Sequence, residues 1–423
     1  MGPQLVTNDQ LRSAVASEAP HAVAFLAALV AQPSLRGAEC AAQELVASTL
    51  EELGFAVERL AVPESIGDDE LAGVPAHSYD GRFNVLGRTP HDGGRTLLIN
   101  GHIDVVPADA ATWTSDPFVP QVRDGWLYGR GAGDMKGGFA TAVLALRALR
   151  HLGAQAGQRN LSFLSVIEEE CTGNGTLAAL RAGVGADAVV LPEPTDLKIV
   201  LGGIAITWVR VVINFGGGHA ESAHRLASPA QTVAELVDGL AQLEVAYNRK
   251  PRSPYDALAR PYNVSVGVIR LGEWASSVPA KAEIEVRVGH PDDVSDTDVL
   301  NHVREWVGDI VASAGNLDFD VSLHGFRAQG YHLDADHELV RQVAQAHAVV
   351  HGVEPATEVL GSTTDARYYV NQLGVPALCF GPIVKNMHGS DECVDLASIE
   401  TGAATLARFM LDYFDDPALG KEA

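Results

Sequence analysis

The 423-residue sequence predicts an α/β fold: a mixed, mostly parallel sheet with helices on both faces, interrupted by an inserted ferredoxin-like lid. Three observations predict it. Short, mostly apolar runs recur early and late in the chain, as strands buried on both faces require. Segments with apolar residues at helical spacing lie between or after them. The middle of the chain switches to the order β-α-β-β-α-β.

In chain order, residues 21–54 carry apolar residues at helical spacing, with Gly54 near the stop. Pro63 to Gly81 is rich in Gly, Pro and Asp and predicts an exposed loop. Thr96–Asn100, Leu161–Ile167, Ala188–Leu191 and Pro376–Phe380 predict buried strands. Gly138–His151, Thr176–Ala182, His337–Val350 and Ser398–Tyr413 predict helices. In the insert, strands are expected at Thr207–Phe215, Tyr262–Arg270, Ala282–Val288 and Leu317–Leu323, and helices at Pro229–Tyr247 and Ser295–Ala314. The chain thus divides into a first part (1–205), an inserted unit (206–325) and a second part (326–423).

Lys and Arg total 30 against 54 Asp and Glu, a net charge of −24. Such a chain is repelled by phosphate backbones and anionic membrane surfaces, so neither nucleic acid nor membrane is expected as a partner. Met1 to Asn8 is polar and irregular, unlike a secretory signal, and the apolar run Ala22 to Ala31 is too short to span a bilayer. Cys40, Cys171, Cys379 and Cys393 are scattered without a CxxC pair, which suits a cytoplasmic protein without a disulfide framework.

The buried strands end in chemistry. Gly101-His102-Ile103-Asp104 follows the first, Glu168-Glu169-Glu170 the second, Glu193-Pro194-Thr195 the third, and His388 lies a few residues beyond the fourth. Asp134 sits in a glycine-rich segment just before helix 138–151. Ligands of open α/β sheets bind beyond the carboxyl ends of the strands. Alone, His102 reads as a core histidine and the Glu run as solvated surface. Together, imidazoles and carboxylates at one edge would repel one another without a cation, and this donor set suits Zn2+, Mn2+ or Co2+. Asp104, two residues from His102 in a strand, would point the same way and hold the imidazole by its other nitrogen. The glycine-rich segment lacks phosphate-loop spacing, and neither a G-x-S-x-G elbow nor H-E-x-x-H occurs.

These residues resemble a known family. Asn100-Gly-His102-Ile-Asp104, Gly131-Ala-Gly-Asp134-Met-Lys-Gly-Gly, the Glu run with Gly173 and Gly175, Glu193-Pro-Thr195, and His388 with Glu392 occur in that order. They resemble the dinuclear zinc amidohydrolases and peptidases that include acetylornithine deacetylase, succinyl-diaminopimelate desuccinylase, aminoacylase and glutamate carboxypeptidase. The resemblance implies two divalent cations per chain, Zn2+ first, with Co2+ or Mn2+ also suited. It implies that Asp134 bridges them, that His102 and Glu193 hold one, and that Glu170 and His388 hold the other. Glu169 becomes the general base, activating a water between the cations, and Asp104 orients His102. A one-residue shift would make Glu168 the base instead.

For the substrate, the resemblance implies His219, acting in its own chain or across a dimer, and Arg287, which grips a carboxylate. Alone, His219 reads as a surface loop residue and Arg287 as half of a cross-strand ion pair. Asn263 and Thr364 are further wall residues. The implied function is hydrolysis of an N-acyl amino acid or related small N-acyl amine, closest to the acetylornithine deacetylase-like deacylases, in a homodimer formed through the lid. The rival readings are a metallo-carboxypeptidase or dipeptidase, a deformylase or deacylase of a heterocyclic amine, and a binder without catalysis.

Overall fold

A computed structural model describes residues 6–154 and 159–415. Most of the polar start, residues 1–5, lies outside the described residues. Two helices replace the expected helical stretch 21–54: α1 (Asn8–Val30) and α2 (Cys40–Glu52). A capping box at Thr7 and Gln10 starts α1. Pro33 then breaks the pattern, because the residue before a proline avoids helical backbone, and Gly37 turns the chain at φ 84°. By length and composition α1 is long and apolar enough to cross a membrane, which the shorter run Ala22 to Ala31 did not suggest. Its Leu11, Val15, Ala22, Leu26 and Leu29 are instead buried in the protein core.

The chain continues through β1 (Ala56–Ala61), β2 (Phe83–Arg88), β3 (Leu97–His102), α3 (Gly138–His151), β4 (Leu161–Val166), α4 (Asn174–Arg181), β5 (Ala188–Leu191) and β6 (Ile199–Gly203). The expected loop 63–81 includes a short 3-10 turn at Glu64–Asp68. The insert holds β7 (Ala205–Asn214), α5 (Pro229–Tyr247), β8 (Val264–Leu271), β9 (Lys281–His290), α6 (Asp296–Ser313) and β10 (Asp318–Ala328). β11 (Tyr331–His332), α7 (Glu338–His351), β12 (Thr357–Leu360), β13 (Ala377–Cys379) and α8 (Leu396–Asp415) follow.

The main sheet runs β1-β2-β4-β3-β5-β13-β6-β11, with β12 beside β6. Its centre, β4-β3-β5-β13, is parallel, and the flanks β1-β2-β4 and β13-β6-β11 are antiparallel. Every residue of β3, β5 and β6 is buried, so both faces of the sheet are covered. α1, α3, α7 and α8 form one layer, while α2 and α4 pack on β2.

The lid sheet has the order β8-β9-β7-β10, all antiparallel, which is the ferredoxin-like arrangement. Along β7 the buried residues Val209, Val211 and Ile213 share a core with Leu236 of α5 and Val303 of α6. The alternate residues, Ile206 and Trp208, therefore face the other way. The chain enters and leaves the lid side by side, because β11 pairs antiparallel with Gly202 and Gly203 at the end of β6. The Tyr255 hydroxyl sits 2.8 Å from the carbonyls of both Gly203 and Tyr331.

Candidate metal centre and substrate cleft

The parallel strands deliver their residues to one edge. His102 is the last residue of β3, Glu168 to Glu170 follow β4, and Glu193 follows β5. The Nε2 atom of His102 lies 3.1 Å from Asp134 Oδ1 and 3.9 Å from Glu193 Oε2. The Nε2 atom of His388 lies 3.3 Å from Asp134 Oδ2 and 3.1 Å from Glu170. Asp134 therefore stands between two groups, with one oxygen toward each histidine. Ligand atoms of His102, Asp134 and Glu170 all lie within 4.8 Å of one another.

The glycine-rich segment builds this position. Gly131 takes φ 78°, and Asp134 leaves the helical region at φ −108° and ψ 103°. Glu392, 1% exposed, clamps the turn. Its carboxylate accepts N–H bonds from Gly133 at 2.9 Å, Asp134 at 3.0 Å and Gly131 at 3.1 Å, and pairs with buried Arg130. Glu392 and His388 border a small antiparallel sheet of Gln121–Arg123, Trp126–Tyr128, Val384–Lys385 and Cys393–Asp395. His388 lies in the loop joining the last two of these strands. Sequence reasoning missed this sheet and the roles of Arg130 and Glu392; the signal was Glu392 four residues after His388, just before Cys393. Gly138 admits no side chain, because a β-carbon there would lie 1.7 Å from the Pro192 carbonyl oxygen, beside Glu193. Gly138→Ala should cost about 1–3 kcal/mol and weaken cation affinity. An unchanged urea midpoint would refute this.

The three consecutive glutamates point differently. Glu168 adopts a left-handed backbone, φ 62°, and turns into the core. There it accepts from the Tyr79 hydroxyl at 2.7 Å and the Thr172 hydroxyl at 2.8 Å, and it pairs with Arg82 at 2.7 Å. Glu169 and Glu170 line the cleft. Their N–H groups donate to Asp104 Oδ1 and Oδ2, each at 3.1 Å. The expected strand geometry for Asp104 is corrected here, because β3 ends at His102. The nearest acceptor for His102 Nδ1 is the Asp104 carbonyl at 2.9 Å, with its carboxylate at 3.6 Å. Asp104 thus ties the histidine to the two glutamates that follow β4.

Crowding sets the electrostatics. Burial raises the pKa of Glu169 and Glu170, and raises that of Glu193 to about 8. Burial alone would lower His102, but hydrogen bonds to Asp104 and Asp134 outweigh it and hold the imidazolium well above its usual range. Asp134 resists its own burial and is held low by His102 and His388. Burial thus favours the neutral carboxyls and ion pairing the charged imidazoles, so cation binding by these donors is coupled to proton release.

A cleft of about 550 Å³ opens over this cluster and is walled by the lid. Arg287 and Thr364 line it. Asn263 lies behind, and its side-chain oxygen accepts from Arg287. No cross-strand carboxylate pairs with Arg287 among the described residues, against the ion-pair alternative. His219 is exposed, accepts the Glu221 N–H at 3.2 Å, and is not brought to the cleft of its own chain. A larger hollow of about 730 Å³ at the lid crossing, by Thr207, Asp292 and Arg327, touches none of the ligand candidates.

Residues 98–412 match the family described as peptidase family M20/M25/M40. A succinyl-diaminopimelate desuccinylase of Methylorubrum populi is 31% identical over 414 residues, covering 95% of this chain and all of that protein. One of Cereibacter sphaeroides is 31% identical over 408 residues, covering 93% and 98%. The fold is shared with a di-peptidase, Dug1p, from Saccharomyces cerevisiae, at TM-score 0.81 and 16% identity over 97% of this chain and 99% of that one. The α/β core, the inserted lid and the family match agree, and the chain belongs to the peptidase family M20/M25/M40.

Proposed function

We propose that the protein hydrolyses an N-acyl amino acid or related small N-acyl amine at a centre of two divalent cations. The chain is a metal-dependent amidohydrolase, as its family membership and desuccinylase relatives support. The observation that carries the finer reading is Asp134, with one carboxylate oxygen toward His102 and the other toward His388.

The donor chemistry fits the cations: imidazole nitrogens and carboxylates, without thiolates. His102, Glu193 and Asp134 would hold one, and Glu170, His388 and Asp134 the other. When bound, the cations supply Lewis acidity toward water and the amide carbonyl. Zn2+ fits the set best, with Co2+ or Mn2+ as alternatives. Among the described residues Glu169 faces the cleft without a side-chain hydrogen bond, and its carboxylate is 3.9 Å from His102 Nε2. It takes the proton of the attacking water and returns it to the leaving amine. Asp104 orients His102 and, through two N–H bonds, the backbone of Glu169 and Glu170. Arg287, braced by Asn263, receives a substrate carboxylate, and Thr364 contributes to the wall. His219 contributes only across a dimer.

The catalytic parts are 1–205 and 326–423 and the lid is 206–325, although the lid sheet itself runs from Ala205 to Ala328; the protein forms a homodimer through the lid, acts in the cytoplasm, and is an acetylornithine deacetylase-like deacylase rather than a peptidase. The test combines cation counting by mass spectrometry with amine release. Two cations per chain, and their loss together with turnover in Asp134→Asn, are expected. A single cation per chain would overturn the dinuclear assignment.

A further inference from the structure

We infer that the cleft selects N-acyl α-amino acids whose side chain is large and apolar, over those whose side chain ends in an amine or a carboxylate. This rests on the amidohydrolase reading above and names the substrate class of the same site.

The lid sheet carries the selection. Arg287 of β9 stands directly opposite Trp208 of β7 in the antiparallel register. Opposed β-carbons in such a pair are about 4.5–5.5 Å apart. Both side chains line the cleft. The Arg287 guanidinium donates to the Asn263 side-chain oxygen and, at 3.0 Å, to the Gly361 carbonyl. Those neutral acceptors fix the plane of its fork and leave its charge unmatched. A carboxylate satisfies both needs, since two parallel N–H···O bonds suit the fork.

In an α-amino acid the carboxylate and the side chain leave the same carbon. A carboxylate seated on Arg287 therefore places the side chain on the neighbouring indole. Trp208 meets the Phe326 ring edge-on at 5.3 Å. Ile206 lies next on the same face of β7, and Leu360 and Met387 close the space from the catalytic side. This wall offers dispersion contacts and no charge.

Apart from Arg287, which takes the α-carboxylate, the charges that line the cleft are all otherwise engaged. Among the lining residues Arg287 is the sole Lys or Arg, and the carboxylates are Asp134, Glu169, Glu170 and Glu193. Each of those four serves the cation centre or the proton transfer. A side-chain ammonium would find no spare carboxylate, and a side-chain carboxylate would find no second cation. Either would lose its water without a partner.

The test uses the cation-loaded enzyme and a matched panel. L-Phenylalanine, L-leucine, L-ornithine, L-aspartate and L,L-diaminopimelate would each be offered as acetyl, formyl and succinyl amides, alongside N-acetylphenethylamine, which lacks the carboxylate. Amine release should give kcat/KM about 10- to 200-fold higher for the phenylalanine and leucine amides than for the rest. Trp208→Ala should erase that preference mainly through KM. Calorimetry on the wild type should show free L-phenylalanine binding more tightly than L-ornithine, independently of turnover. Ornithine, aspartate or diaminopimelate amides turned over as well as the apolar ones would overturn the selectivity and leave the amidohydrolase reading standing. Efficient turnover of N-acetylphenethylamine would overturn the Arg287 anchor. No turnover of any amide, with two cations bound per chain, would overturn both.

Discussion

Glu169→Gln should lower kcat by about two to four orders of magnitude while the cations stay bound and the fold persists. Glutamine keeps the size and shape of the side chain, but its amide cannot accept the proton of the attacking water. The carboxylate of Glu169 has room to act, because the neighbouring Asp104 holds its backbone N–H rather than its side chain. Glu168→Gln should behave in the opposite way. That carboxylate is 0% exposed and committed to Arg82, Tyr79 and Thr172. Its loss should lower stability and leave the proton transfer intact. Amine release, cation content and the thermal midpoint, measured on both variants, separate the two roles. If Glu168→Gln were inactive at unchanged stability and Glu169→Gln retained turnover, the assignment of the base would be reversed.

Arg82→Met is expected to be the most destabilising single change, by about 3–5 kcal/mol. Arg82 is 5% exposed and lies between Glu39, at 2.5 Å, and Glu168, at 2.7 Å. Methionine fills part of the volume but strands two buried carboxylates without a cation. Burial already raises the pKa of Glu39, and Arg82 opposes that rise. Without Arg82 the folded state favours protonated Glu39 more strongly than the unfolded chain does. The folded state then binds the extra proton, so the variant should lose stability as pH rises and recover it as pH falls. Urea midpoints at about pH 5 and about pH 8 test this, with the gap to wild type wider at the higher value. An equal gap at both would mean that lost packing, not stranded charge, sets the cost.

The parts of the site legible in the sequence were those that local pattern controls. His102, the Glu run and Glu193 each end a buried apolar run, so those runs and the strand-end rule carried them to one sheet edge. The β-α-β-β-α-β order of the lid was legible for the same reason. The resemblance favours Glu169 over Glu168 as base, but the different directions of the two side chains were not legible, because they depend on the handedness of one residue: a left-handed glutamate is unusual, and nothing in three identical side chains marks which one adopts it. The small sheet under His388 was also hidden. Its strands are two or three residues long and pair across distant parts of the chain, too short for alternation to register. The break between α1 and α2 is marked in the sequence by Pro33, but apolar spacing continues beyond it.

The proposed cation ligands and base all come from residues before β7 or after β10, whereas Arg287 and Trp208 lie within the insert. On this proposal the cation ligands and base sit on the two catalytic parts of the chain and the Arg287–Trp208 pair on the lid, with Thr364, Leu360 and Met387 completing the wall from the catalytic side. Substitution of Trp208 should then retune what is bound while every proposed cation ligand stays in place, because none of them lies between the side-by-side crossings at Gly203 and Tyr331. Two proteins of this architecture can therefore keep identical metal ligands while diverging in substrate.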